Sequence, residues 1–266
     1  MKIKYYNVAL GIVLTALTMT SCSNDDGDSP EAPKVKMALS SMRGGYVGES
    51  LQFSITDIKY DANGRVTGYT YNNNIGYTYT NNKVTYTYSD TKIVKRTEYY
   101  SDVEENYSEE EENYSEEEYV VKDGLIISNE STTYSYDGNN QLVKIGGNGW
   151  SASYTWENGN PTAMTEKEDG YSAKSTFEYS NESNVLSGNF QDETFSTVYM
   201  NCEPFLCAAG YFGKQPKNLV SKIYVSGKLD RSFTYSSPNA EGYPTKMEIV
   251  DDDYDIQEYT LSWVKI

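Results

Sequence analysis

Tyr60-Asp61-Ala62-Asn63-Gly64-Arg65-Val66 is the unit whose reading decides the fold. An aromatic residue closes one extended run, Asn63-Gly64 supplies the positive φ that a tight turn needs, and Val66 opens the next run. Tyr136-Asp137-Gly138-Asn139-Asn140-Gln141-Leu142 repeats the arrangement. Looser copies are Trp156-Glu157-Asn158-Gly159-Asn160-Pro161, Tyr179-Ser180-Asn181-Glu182-Ser183-Asn184-Val185 and the longer stretch from Tyr235 to Thr245. Asn81-Asn82, Asp123-Gly124 and Ser226-Gly227 are shorter turns of the same kind.

Between the turns the residues alternate. Val84-Thr85-Tyr86-Thr87-Tyr88 puts Val84, Tyr86 and Tyr88 on one face and threonines on the other, and Trp150 to Trp156 does the same. Period-two alternation is the pattern of a half-buried strand. Turn signals recur about every 8–12 residues, which predicts an all-β antiparallel meander of about 14 to 18 strands. We expect short hairpins forming a barrel-like or rolled, water-soluble sheet with its aromatic face inward. The chain has 27 Tyr against 7 Phe and 3 Trp, so its core must satisfy many phenolic hydroxyls. From Val198 to Phe212 the alternation stops. This stretch reads as a long loop with one helical turn, because Pro204 interrupts anything longer.

Composition excludes several function classes. The chain contains no histidine, which removes Ser-His-Asp triads, Cys-His pairs and histidine-based metal sites. Its net charge of −17 repels phosphate backbones, so no nucleic-acid partner is expected. No cofactor or metal is expected either. Asp251-Asp252-Asp253-Tyr254-Asp255 clusters carboxylates but lacks the glycine and distal glutamate of an EF-hand loop, so it reads as an acidic hairpin tip. Gly146-Gly147-Asn148-Gly149 lacks the lysine and helix of a phosphate loop. Glutamates concentrated in acidic runs are poor candidates for a glycosidase pair, and no catalytic residue is assigned.

The first 22 residues carry an address. Lys2 and Lys4 precede the apolar run Val8 to Leu14, and Met19-Thr20-Ser21-Cys22 follows. That run is too short for a membrane span, which needs about 20 residues, and the pattern is that of a secretory signal. The cysteine at the cut resembles a bacterial lipobox, with Cys22 as the lipidated first residue of the mature chain. Asp25, Asp26 and Asp28 follow and resemble a surface-export tag, or else form the solvated acidic linker of a periplasm-facing lipoprotein. The expected organisation is therefore a signal peptide over 1–21, an acidic flexible tether over 22–49, and one all-β domain over 50–266. Cys202 and Cys207 remain as a pair in an exported compartment; they are a candidate disulfide, or else two buried thiols.

Two further features stand out. Glu105 to Glu111 is duplicated at once as Glu112 to Glu118, an acidic insertion near 104–118 expected as a mobile loop or a protruding strand pair. Trp150, Tyr154 and Trp156 share one strand face; they are either core or a platform on which a glycan stacks.

The Tyr-Asp units at Tyr60-Asp61 and Tyr136-Asp137 resemble the tyrosine-aspartate repeats of Rhs-type secreted proteins. With the lipobox at Cys22, the stretch Gly213 to Ile223 and the stretch Glu241 to Met247, the chain resembles a family of Bacteroidota lipoproteins of unknown function with a porin-like fold. That resemblance implies a lipid-anchored outer-membrane protein on the cell surface and carries no catalytic residues. The outward residues of a membrane barrel form an apolar band, whereas here the face opposite the tyrosines is Thr, Ser, Lys and Glu. The function expected is a non-catalytic envelope lipoprotein that binds a glycan or an outer-membrane protein partner, or else a structural component of an outer-membrane assembly. An enzyme is not expected.

Overall fold

The computed structural model describes residues 37–49, 52–75, 78–101, 114–186 and 202–266. Sixteen strands follow one another in an antiparallel meander: β1 (Met37–Tyr46), β2 (Phe53–Tyr60), β3 (Val66–Ile75), β4 (Thr78–Tyr88), β5 (Lys92–Ser101), β6 (Tyr114–Lys122), β7 (Leu125–Ser128), β8 (Thr133–Tyr136), β9 (Leu142–Gly147), β10 (Trp150–Glu157), β11 (Asn160–Glu168), β12 (Tyr171–Ser183), β13 (Asn218–Val225), β14 (Lys228–Pro238), β15 (Pro244–Asp251) and β16 (Ile256–Lys265). Each pairs with its sequence neighbours, and β1 pairs with β16, so the sheet is a closed barrel. Closure leaves no edge strand to manage. The first described strand, Met37–Tyr46, therefore precedes the domain start expected at residue 50, and the last part of the stretch expected as tether is the strand that seals the barrel.

The alternation falls as expected. Val84, Tyr86, Ala152, Tyr154, Ile223, Phe233, Tyr259 and Leu261 point inward and are buried, while Lys83, Thr87, Ser153, Thr155, Lys222, Thr234, Glu258 and Thr260 are exposed outside. Inward side chains from around the barrel join a single hydrophobic cluster. This is the reverse of a membrane barrel, whose lumen is polar and whose outer wall is apolar. No helix among the described residues is long and apolar enough to cross a membrane.

The interior is completed from the β12–β13 connection. α1 (Pro204–Ala208) is one short helix carrying Pro at its first turn, where a missing N–H costs nothing; Pro204 starts the helical turn. Phe205 packs on Tyr69 with ring centroids 4.6 Å apart, Tyr211 stacks on Tyr88 at 5.8 Å, and Phe212 meets Tyr134 edge-on at 5.0 Å. Phe205, Leu206, Cys207 and Phe212 are all buried.

In a closed meander the hairpins alternate between two ends. We call proximal the end where the chain enters β1 and leaves β16. All the Tyr-turn units lie there: β2–β3, β8–β9, β10–β11, β12–β13 and β14–β15. Four of their aromatic residues, and Tyr88 and Trp263 at the same rim, make one kind of hydrogen bond. The Tyr60 hydroxyl donates to the Leu39 carbonyl at 2.6 Å, Tyr88 to Val66 at 2.7 Å, Tyr136 to Ile126 at 2.6 Å and Tyr179 to Pro161 at 2.6 Å. Trp156 Nε1 donates to Leu142 at 2.9 Å and Trp263 Nε1 to Pro244 at 2.7 Å. In every case a strand ending at the proximal rim caps a carbonyl at the start of the strand before it. The tyrosine-rich composition thus has a use: an inward ring fills the core while its hydroxyl satisfies a backbone acceptor.

The acidic residue after the aromatic shapes the turn. Asp61 Oδ1 accepts the N–H groups of Asn63 and Arg65 at 2.9 Å each, and Asp137 Oδ1 accepts those of Asn139 and Gln141 at 2.8 and 2.9 Å. Asn239 and Asp251 repeat this with residues two and four positions on. The residue three positions on lies at positive φ, as Gly64 (73°), Asn140 (60°), Gly242 (84°) and Tyr254 (66°). The first three are residue types that tolerate this conformation. The Asp251–Asp255 cluster is thereby explained as an Asx turn.

Residues 102–113, which hold the first acidic heptad, lie outside the described residues. Most of the second copy is not a loop: Tyr114–Glu118 forms the first half of β6 and pairs with the basic strand β5. Lys92 Nζ lies 2.8 Å from Glu118, Arg96 lies 3.4 Å from Glu116, and the Arg96 guanidinium sits 3.7 Å above the Tyr114 ring. These exposed pairs add little energy singly but match the register. Deleting Glu112 to Glu118 places an identical heptad directly before Tyr119, so every β6 contact is rebuilt and only the connection shortens. We expect a stability change below about 1 kcal/mol in a thermal melt; a collapse in melting temperature would show that the first copy has its own place in the sheet.

Candidate functional site at the distal rim

Three neighbouring hairpins build a cleft at the end of the barrel opposite the chain's entry. They are β7–β8, β9–β10 and β11–β12. Two of them are two-residue connections with both central residues at positive φ, Asn148 (32°) with Gly149 (88°) and Asp169 (41°) with Gly170 (85°). That geometry matches the strand twist and holds the flanking residues in a set register. A Cβ on Gly147 would stand 2.0 Å from the Ser131 carbonyl oxygen, so glycine here lets the β7–β8 turn lie against β9. The same construction on Gly149 falls 3.4 Å from Asp169 Oδ1, which brings the two tight turns together.

The cleft has a volume of about 770 Å³. Trp150 stands in its wall, half-buried and packed against the core. Tyr171 is 65 % exposed at the tip of β12. Lys144 and Lys167 line it with Glu168 and Asp169, and serine, threonine and glycine complete it.

The aromatic platform expected on β10 is divided by the structure. Tyr154 is a core residue, 7 % exposed, and Trp156 is half-buried with its indole N–H committed to Leu142. Both lie deeper along the inward face of β10, leaving Trp150 alone at the cleft. Tyr171 replaces them as the accessible ring. Its signal in the sequence was an aromatic directly after Asp169-Gly170, where a strand begins and its first side chain projects beyond the rim.

Cys202 and Cys207 are both buried, free thiols. Burial, and then a hydrogen bond with Cys202, push the Cys207 thiol well above its ordinary range, which keeps it protonated and inert. The candidate disulfide is not formed in this structure. Cys22, Asp25, Asp26 and Asp28 lie outside the described residues. Among the described residues no group of three or more His, Cys, Asp or Glu is arranged to hold a metal ion.

One interior site lay beyond the reach of sequence reasoning. Glu203, just before α1, is 8 % exposed. Tyr86 donates to its Oε1 at 2.7 Å, and Lys95 Nζ lies 2.5 Å from its Oε2. Burial alone would lower the Lys95 pKa, but the Glu203 carboxylate overrides it and the ammonium is held above its usual range. Lys95 faces inward because it shares parity with Ile93 on β5; alternation placed it there but could not name its partner 108 residues away. This ion pair ties the inserted segment to the barrel wall.

Closed topology, apolar interior and polar exterior define a porin-like barrel without a porin's distribution of polarity. The chain belongs to the family described as "Domain of unknown function (DUF4595) with porin-like fold", whose model matches residues 58–246. The match stops short of β1 and β16, the two strands that close the sheet. Among solved structures, the fold is similar to a porin-like protein from Bacteroides uniformis ATCC 8492, with a TM-score of 0.57 and 14 % identity, covering 86 % of this chain and 98 % of that one. A porin-like protein from Bacteroides vulgatus ATCC 8482 also matches, with a TM-score of 0.46 and 14 % identity, over 86 % of this chain and 100 % of that one. No curated protein sequence matches significantly.

Proposed function

We propose that this protein is a non-catalytic cell-envelope lipoprotein, anchored to the outer membrane through Cys22 and exposed at the cell surface, and that it acts as a binding or accessory protein through its distal rim. The observation that carries this is the distribution of polarity: the outer wall of the barrel is polar and charged, while its interior is apolar. The polar outer wall supports attachment by lipid rather than by insertion, because charged side chains on a lipid-facing wall cost about 2 to 4 kcal/mol each at the bilayer midplane.

The anchor is tested by Cys22→Ala. The variant should move from the membrane fraction to the soluble fraction, since a lipid chain is the attachment device here. Retention through a carbonate wash would remove the lipoprotein assignment. Replacing Asp25, Asp26 and Asp28 by Ala should leave membrane attachment intact and reduce cleavage of the protein on whole cells by added protease. Unchanged cleavage would remove the export-tag assignment.

A further inference from the structure

We infer that the distal cleft is a binding site for a neutral oligosaccharide, an assignment that rests on the proposed binding role and gives it a ligand class. The lining argues by its chemistry. Besides Trp150 and Tyr171, it contains no Leu, Ile, Val, Phe or Met. A lipid tail or an apolar helix face would find nothing aliphatic to pack on. Two lysines stand with two carboxylates, Glu168 and Asp169, so the site favours neither a polyanion nor a polycation, and the net charge of −17 weighs further against anionic polymers.

What remains is an amphipathic ligand with an apolar face and many hydroxyls. A pyranose ring has this character: its C–H face stacks on an aromatic ring, and its hydroxyls both donate and accept. Tyr171 offers the exposed ring, Glu168 and Asp169 are acceptors, Lys144 and Lys167 are donors, and serine and threonine hydroxyls serve as either. The volume of about 770 Å³ lies within the range of about 300–1,000 Å³ for small-molecule sites. The site is also pre-formed. Two positive-φ turns set its walls, and Gly147 allows the β7–β8 turn to close down on β9. A ligand therefore meets groups already ordered, which lowers the cost of binding.

The test uses the whole mature protein and neutral hexasaccharides of glucose, mannose and N-acetylglucosamine as probes. Titration calorimetry and intrinsic tryptophan fluorescence are the readouts, since Trp150 lies in the wall. At least one probe should bind and shift the emission. Tyr171→Ala should weaken that binding by about tenfold or more, while Tyr171→Phe, which keeps the ring, should retain it. Tyr171 is exposed at a turn, so its variants should melt with the parent protein. Gly147→Ala is a second variant, expected to lose binding by lifting the β7–β8 turn. Absence of heat and of any fluorescence shift for all three probes at about 1 mM would overturn the assignment, as would undiminished binding by Tyr171→Ala. If the probes fail while Cys22→Ala still releases the protein from membranes, the ligand class falls and the anchored-protein proposal stands. The opposite pattern removes the anchor and keeps the site.

Discussion

A Glu203→Gln variant should lose about 3 to 5 kcal/mol of stability, because it removes the carboxylate 2.5 Å from the Lys95 ammonium and leaves only the weaker pull of Glu117, its cross-strand neighbour on β6. The Lys95 side chain is 21 % exposed and that of Glu203 6 %, so water screens the pair only weakly. A loss of this size is a large share of a typical domain's stability of about 5 to 15 kcal/mol. The double variant Lys95→Met with Glu203→Gln should recover most of it, since both charges are gone and the new amide oxygen still accepts from the Tyr86 hydroxyl. Denaturant melts of the two single variants and the double variant close the cycle. Single-variant losses that simply add in the double variant would show that the pair does not tie the inserted segment to the wall. If Glu203 does hold the segment, the single variant should also expose Cys202 and Cys207 to a thiol reagent faster than the parent.

Raising the pH past about 10 should unfold the protein cooperatively. Burial is the main cause that pushes the hydroxyls of Tyr60, Tyr69, Tyr86, Tyr88, Tyr119, Tyr134, Tyr136 and Tyr179 well above the ordinary 10.0. The sign follows from linkage. In the folded chain these phenols stay protonated, whereas in the unfolded chain they ionise near pH 10. Their contribution is complete below that value and is lost as pH rises through it. Each raised group removes about 1.4 kcal/mol of stability per pH unit once the unfolded chain has ionised. Several such groups together exceed the marginal stability of a domain within one or two units. Lys95, also raised, is lost in the same direction above its ordinary 10.5. The tyrosinate absorbance that belongs to these eight buried rings should therefore rise in one steep step that coincides with loss of the β-sheet circular dichroism signal. A broad, independent titration with the sheet intact would contradict the burial of these rings.

Much of the architecture was legible along the chain. Alternation at Val84-Thr85-Tyr86 and Trp150 to Trp156 set which side chains face inward, because a strand has a side-chain period of two. Tyr60-Asp61 through Val66 marked a hairpin, because its aspartate, asparagine and glycine meet the hydrogen-bonding and positive-φ demands of that turn. Absence of histidine and the charge of −17 narrowed the chemistry without any structure. These are local or compositional properties, so sequence alone determined them. Closure was decided elsewhere: nothing in Met37 to Tyr46 announces that it pairs with Ile256 to Lys265, since that partner lies at the far end of the chain and register depends on the accumulated twist of the whole sheet. The same holds for Glu203 finding Lys95 and Tyr86, and for the Tyr60, Tyr136 and Tyr179 hydroxyls finding carbonyls at the start of the strand before. The cleft, too, exists only because three separate distal turns meet, with Gly147 against Ser131 and Gly149 against Asp169. Local periodicity names the face a residue presents; only the closed barrel names what that face meets.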